Sequence, residues 1–369
     1  MPRRIGVNAL YLIPGGVGGT EIYLRNLLEA LARVDPLNEY LVLTNRETTD
    51  LVPDAPNFHA LPQPVAARIR PARILWEQTA VPILAARHQF DVLFNPGFTA
   101  PLVCGCPEVT VFHDLQHKRH PENFRWFDLP AWNVLLYGSA RRSGMLVAVS
   151  EATRRDLQRY YGVDSRVIGH GVERAIFDLA DRRSPGPFVL CVSTLHPHKG
   201  LESLLAGYAE FRARCPGYRL VVAGMRGFAA QTVDERIRTL GLSDAVDMTG
   251  WIPRNELLDL YRRAWAFVYP SLFEGFGMPV AEAMAAGVPV ACSDIEPLRE
   301  IASDAALLFT PGDEHGIAQA LHRITSDESL RARLIEAARR RATRFTWEEA
   351  ASRTLAVLEE AASAGRARR

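Results

Sequence analysis

The sequence predicts an α/β protein built as two halves, each a parallel sheet covered by helices. Three observations carry that expectation. Short apolar runs alternate with amphipathic stretches along the whole chain, the pattern left by strands buried on both faces between helices. The chain has 369 residues, of which 48% are hydrophobic, enough for two domains with a large core. Near its middle, Asp178-Leu-Ala-Asp-Arg-Arg-Ser-Pro-Gly-Pro187 is polar and rich in Pro and Gly, as an interdomain linker is.

The elements follow in order. Ile5–Ala9 reads as a first strand, and Pro14-Gly-Gly-Val-Gly-Gly19 as a Gly-rich loop after it. A helix begins near Thr20, a candidate N-cap, and carries Ile22, Leu24, Leu27, Leu28 and Leu31 at helical spacing. Leu41–Thr44, Val92–Phe94, Val109–Phe112 and Met145–Val149 read as further strands, and Ser150 caps a helix over Glu151–Tyr160. Arg166–Gly171 closes this half. The second half starts at the strand Phe188–Ser193. Arg219–Ala223, Ala245–Met248, Trp265–Tyr269, Val288–Cys292 and Ala306–Phe309 continue it, with helices between. Thr346-Trp-Glu-Glu349 has the form of a capping box and opens a helix to about Glu360. The tail Gly365-Arg-Ala-Arg-Arg369 is expected to fray. The domains are therefore 1–177, a linker 178–187, 188–345, and a last segment 346–369.

Composition narrows the function. A net charge of +1 offers no electrostatic argument for nucleic acid. The five cysteines are few and odd in number, which suits a reducing compartment, and Cys104-Gly-Cys106 has no second ligand pair for zinc. Neither a signal peptide nor a membrane-spanning run is legible, so a cytoplasmic protein is expected, with at most a surface contact at the inner membrane face. Arg68–Gln78 is basic and amphipathic. It suits either anionic lipid or, as the blander reading that we favour, an ordinary helix with its arginines in water.

Chemistry concentrates in Ser271-Leu-Phe-Glu-Gly-Phe-Gly-Met-Pro-Val-Ala-Glu-Ala-Met-Ala-Ala-Gly-Val-Pro-Val-Ala-Cys-Ser293. Glu274 stands at the carboxyl end of a strand, where open α/β sheets carry their active groups, and Glu282 lies in the first turns of the following helix. A free helix N-terminus beside two carboxylates suits a polyhydroxylated, anionic ligand. On pattern alone the same residues also fit a structural strand–turn–helix with solvated acids.

This segment resembles the signature of the retaining GT-B glycosyltransferases of the glycosyl transferases group 1 family (family 4). It matches their Glu-x7-Glu motif, with Glu-Gly-Phe-Gly-x-Pro and Glu-Ala-Met-Ala-x-Gly-x-Pro-Val around it. The resemblance implies a GT-B layout, two doubly wound Rossmann-like domains facing a cleft. The first would take the acceptor and the second a nucleotide-diphosphate sugar, with the last helix crossing back to the first domain. It also implies a role for each matching residue. Glu282 would accept from the nucleotide ribose, Glu274 would meet the donor sugar, and Lys199, in His196-Pro-His-Lys-Gly200, would face the leaving diphosphate. Gly275, Phe276 and Gly277 would bring main-chain N–H groups to the sugar. Pro297 and Leu298 belong to a stretch whose main chain would help hold the diphosphate. Gly18 and Gly19 would lie beneath the phosphates, and His113, in His113-Asp114, would reach the transferred sugar. Many members carry an Arg several residues before the lysine, where this chain has Ser193 and Thr194. Arg226 is the candidate substitute.

No metal or other cofactor is expected. The chain has no Asp-x-Asp, and His113, His117 and His120, though aligned on a helical repeat, follow a strand and lack a suitably placed acid. The expected reaction is transfer of a hexose, mannose or glucose by family frequency, to a saccharide or lipid-linked saccharide. Two rivals remain at this point. One is a sugar-nucleotide-binding subunit without catalysis. The other is an NAD-dependent oxidoreductase, which the poor glycine fingerprint disfavours.

Overall fold

The structure is a computed structural model that describes residues 2–15, 18–48 and 50–368. It forms two compact units. One holds the residues through Gly171 together with those from Trp347 on, and the other is Val172–Thr346.

The first unit contains β1 (Arg4–Asn8), α1 (Gly19–Val34), β2 (Glu39–Thr44), β3 (Phe58–Pro62), α2 (Arg70–Arg87), β4 (Val92–Asn95) and β5 (Glu108–Phe112). It continues with α3 (Gln116–Arg119), α4 (Leu129–Arg142), β6 (Met145–Ala148), α5 (Glu151–Tyr161) and β7 (Arg166–Val167). Its strands form one parallel sheet in the order β3-β2-β1-β4-β5-β6-β7. Ile5, Val7, Val92, Phe94, Val109 and Val111 are fully buried, because helices cover both faces of the sheet's centre.

The second unit contains α6 (Arg174–Phe177), β8 (Phe188–Val192), α7 (Leu201–Arg214), β9 (Arg219–Ala223), α8 (Ala230–Thr239), β10 (Val246–Gly250), α9 (Arg254–Arg263) and β11 (Ala266–Tyr269). Next come α10 (Met278–Ala285), β12 (Val290–Ser293), α11 (Glu296–Ala302), β13 (Ala306–Phe309), α12 (Glu314–Ser326) and α13 (Glu328–Ala342). Its parallel sheet runs β10-β9-β8-β11-β12-β13. The last helix, α14 (Trp347–Arg368), belongs to the first unit and packs on α1, β4 and β5.

Several expectations need correction. The stretch 178–187 is no free linker but part of the second unit. The Arg183 guanidinium donates to the carbonyls of Tyr261 and Ala264, and the Ser184 and Gly186 N–H groups donate to the carbonyls of Arg262 and Arg263. Its polarity serves these main-chain bonds, and the division falls at Gly171 rather than Phe177. Helix α1 is capped by Gly18 (φ +58°), not Thr20, and starts at Gly19. Strand β12 begins at Val290 rather than Val288. Helix α14 continues to Arg368, through most of the expected frayed tail, because Ala and Arg favour helix; Arg369 lies outside the described residues. Ser150 does cap α5, its side chain accepting from the Thr153 N–H.

Candidate active site

In the second unit the strand order reverses between β8 and β11, which pair in parallel with Phe267 opposite Leu190. The connections leaving their carboxyl ends therefore start side by side, at the position where such sheets take ligands. The chain locks the two connections together. After β8, a single turn of 3₁₀ helix spans Pro197–Lys199. The His198 carbonyl accepts from the Leu272 N–H at 2.8 Å and from Ser271 Oγ at 3.2 Å. Gly200 follows at φ +66°, and a Cβ there would stand 2.2 Å from the Pro270 carbonyl oxygen. Only glycine lets the two turns approach so closely.

This docking brings Lys199 to Glu274. Lys199 Nζ donates to Glu274 Oε1 at 2.7 Å, with side chains 15% and 11% exposed. The Tyr269 hydroxyl donates to the same oxygen at 2.7 Å. Burial works against a charged Glu274. The Lys199 cation and the bonds from Lys199, Tyr269 and Ser271 outweigh it, so the carboxyl titrates below its ordinary value.

Glu282 lies on α10, which Gly277 caps at φ +111°. A Cβ on Gly277 would meet Leu298 Cδ2 at 2.4 Å, so α11 closes against this turn. Glu282 is buried and held at both oxygens. Arg254 donates to Oε1 and the Tyr261 hydroxyl to Oε2, each at 2.9 Å. Arg254 also pairs with Glu173 at 2.9 Å. It thus sits between two carboxylates, whose charge outweighs the burial that would neutralise it. Sequence reasoning missed Arg254, Tyr261 and Tyr269. The available signal was faint: Arg254 and Tyr261 are seven apart on one helix, two turns along the same face.

The remaining expected residues of this unit are placed as follows. Phe276 turns its ring inward, edge-on to Phe345 at 5.9 Å between centroids. Pro297 and Leu298 are buried at the start of α11. Pro297 has no N–H and contributes shape alone, whereas Leu298 has an N–H to offer. Ser293 Oγ, buried at the end of β12, has no hydrogen-bond partner among the described residues. Arg226 lies in a loop zipped to the β8 loop, Leu195 N–H donating to the Met225 carbonyl and Ala229 N–H to that of Leu195. Its guanidinium pairs with Asp234 on the exposed side of α8.

In the first unit, Gly18 and Gly19 open α1. The Gly15 N–H donates to Glu21 Oε2 at 2.7 Å, while Gly16 and Val17 of the expected phosphate loop lie outside the described residues. His113 follows β5 and is buried, with the Tyr23 ring edge-on at 4.8 Å. Its Nε2 faces the Pro96 carbonyl at 2.8 Å and must carry the proton. Nδ1 then accepts from His170 Nε2 at 3.3 Å. Burial drives its pKa down to about 4, against the Pro96 bond, so the imidazole is neutral near pH 7. His117 bonds instead to the Tyr161 hydroxyl, and His120 to Glu122. Among the described residues no three His, Cys, Asp or Glu side chains are grouped to hold a metal.

Comparison with known proteins gives consistent matches. Residues 174–341 match the family model for glycosyl transferases group 1, and residues 17–175 that for glycosyltransferase family 4. The chain is 28% identical to the O-antigen chain mannosyltransferase B of Escherichia coli, over 67% of this chain and 68% of that one. It is 29% identical to the D-inositol 3-phosphate glycosyltransferase of Acidothermus cellulolyticus, over 98% and 91%. Among solved structures, sucrose-phosphate synthase from Thermosynechococcus elongatus superposes with a TM-score of 0.79 at 20% identity, covering 98% of this chain and 100% of that one. The Anabaena protein HepE, solved with UDP-glucose, superposes at 0.74 and 20% identity, covering 97% and 100%.

Proposed function

The chain belongs to the glycosyl transferases group 1 family and is a glycosyltransferase of GT-B fold, and from that premise we propose the finer reaction. It moves a hexose, of mannose or glucose type, from a nucleotide-diphosphate sugar to a saccharide or lipid-linked saccharide. The configuration at the anomeric carbon is retained, and neither metal nor other cofactor takes part. One observation carries the reading: Lys199 and Glu274 share a hydrogen bond at the sheet's switch point, beside the N-terminus of the helix that holds Glu282.

The chemistry follows from those groups. Lys199 supplies a fixed cation for the diphosphate as it leaves, and the first N–H groups of α10 add partial positive charge. Glu274, kept ionised, accepts from donor sugar hydroxyls. Glu282 accepts from the ribose, with Arg254 and Tyr261 fixing its rotamer. Nothing in this set demands a covalent glycosyl-enzyme intermediate. Departure and attack on one face, with the leaving phosphate oxygen taking the acceptor proton, uses only positioning and charge. On this reading the protein works in the cytoplasm and meets lipid-linked acceptors at the inner membrane face. Among the described residues no helix is long and apolar enough to cross a membrane.

Calorimetry against UDP-, GDP-, ADP- and dTDP-sugars and NAD(H), with Glu282→Ala as control, tests the reading. Selective binding of one nucleotide sugar, lost in the variant, supports it, and binding of NAD(H) instead sinks it. The pairing of Arg226 with Asp234 favours one second reading, a binding subunit without turnover. Donor binding with neither transfer to any acceptor nor hydrolysis would select that one.

A further inference from the structure

Helix α2 is inside out. It buries Arg73 and Glu77, 5% and 1% exposed, and turns Leu75 and Ile83 to solvent. The buried pair is fully served within the fold. Arg73 Nη1 donates to Glu77 Oε2 at 3.1 Å, and Thr99 Oγ1 and Asn8 Nδ2 donate to the same oxygen. The apolar outer face is therefore not the by-product of a misplaced helix, and its exposure calls for a partner.

Helix α4 continues this face. Val134 and Tyr137 point outward along it, and Trp126, 81% exposed, stands just before it. The segment after β4 joins the two helices. Its Leu102 N–H donates to Gln78 Oε1 of α2 at 2.8 Å, its Leu102 side chain lies against Gly138 of α4, and Val103 beside it is exposed. The Arg70 guanidinium, from the start of α2, stands 5.2 Å from the ring of Trp132 on α4. The charge on these helices has one sign. Glu77 is the sole carboxylate on α2 and α4, and it is buried. Their exposed charges are Arg70, Arg87, Arg141 and Arg142, and Arg125 lies over the Phe127 ring nearby.

We propose that the outer faces of α2 and α4 form a docking surface for an anionic bilayer. Tryptophan and aliphatic side chains would enter the headgroup boundary, and the arginines would meet lipid phosphates. A second copy of the chain fits less well, since neither helix has an exposed carboxylate to receive the arginines. The purpose of the surface, delivery of the enzyme to a lipid-linked acceptor, rests on the function proposed above. The surface itself rests on the packing and charge of the two helices.

The test is co-sedimentation of the full chain with vesicles of phosphatidylcholine alone and of equal parts phosphatidylcholine and phosphatidylglycerol. Binding is expected to the anionic vesicles only, weakening with salt, since each surface arginine contributes about fivefold to such binding. Leu75→Glu and Val134→Glu, at exposed positions that folding tolerates, should each weaken it by about tenfold or more. Three outcomes overturn the proposal: no binding to anionic vesicles, equal binding to neutral ones, or full binding by both variants. A dimer in light scattering that Leu75→Glu dissociates would also overturn it, in favour of a second copy. Donor calorimetry without lipid reads the proposed function separately. If the donor binds and the vesicles do not, the docking surface falls and the transferase reading stands.

Discussion

Lys199 and Glu274, 75 residues apart in the chain, meet at 2.7 Å where β8 and β11 end side by side. Each partner makes the burial of the other tolerable. Lys199→Met should therefore lower unfolding free energy by about 3 kcal/mol, the cost of stranding a buried carboxylate. Urea melts check this, and Lys199→Met/Glu274→Gln should regain part of the loss. The acid limb gives an independent reading. The folded Glu274 titrates below its ordinary 4.5, so its contribution is present above that value and lost as pH falls through the folded one. Glu274→Gln should show a flatter loss of stability than the parent below pH 4.5.

The two acids should separate kinetically. Glu282→Ala is expected to raise the donor dissociation constant about tenfold or more, the value of a hydrogen bond to a charged group. Glu274→Ala should chiefly lower kcat. Titration calorimetry and initial rates decide it, and unchanged donor affinity in Glu282→Ala would remove the ribose assignment.

Acid should destabilise the first unit through its buried histidines. Burial lowers His113 and His117 to about 4 from 6.5, so both are neutral when folded and charge more readily when unfolded. Their contribution is complete above pH 6.5 and is lost between 6.5 and 4, at about 3 kcal/mol each over the 2.5 units. Unfolding free energy measured from pH 7 down to 4.5 should fall accordingly, and His117→Gln should flatten the slope.

Gly200→Ala tests the docking of the two turns. The substitution combines φ +66° with a Cβ 2.2 Å from a carbonyl oxygen, and backbone cannot yield as a side chain would. A loss of about 2–3 kcal/mol is expected by calorimetric melting. Weaker donor binding should accompany it, because Lys199 is the neighbouring residue. Unchanged melting would show that the turns need not touch.

Much of this was legible in the chain. The strands read at Phe188–Ser193 and Arg219–Ala223 are observed at Phe188–Val192 and Arg219–Ala223, since each is a largely apolar run bounded by turn residues. The acids around the Gly-Phe-Gly turn, and Lys199 at another strand end, were visible as candidates, and the structure brings Lys199 and Glu274 together. The partners of Glu282 were not visible. An arginine after Trp-Ile-Pro and a tyrosine on a charged helix look like surface residues until α9 packs against α10. Arg226 also stands at a strand end, where its guanidinium pairs with Asp234, eight residues on, a partner that no local pattern announces. The polar stretch 178–187 misled because its main-chain groups find acceptors and donors within the second unit.

By itself the sequence determined the alternation of strand and helix, the glycines that permit the tight turns, and the eight-residue spacing of the two acids. Those are properties of local segments, set by side-chain periodicity and backbone freedom. Only the tertiary structure decided that β8 lies beside β11, that Arg254 and Tyr261 hold Glu282, and that α2 buries Arg73 and Glu77 beside Val81 and Ala85. Such pairings depend on sheet order and packing between segments far apart in the chain, and no local pattern encodes which distant segment becomes the neighbour.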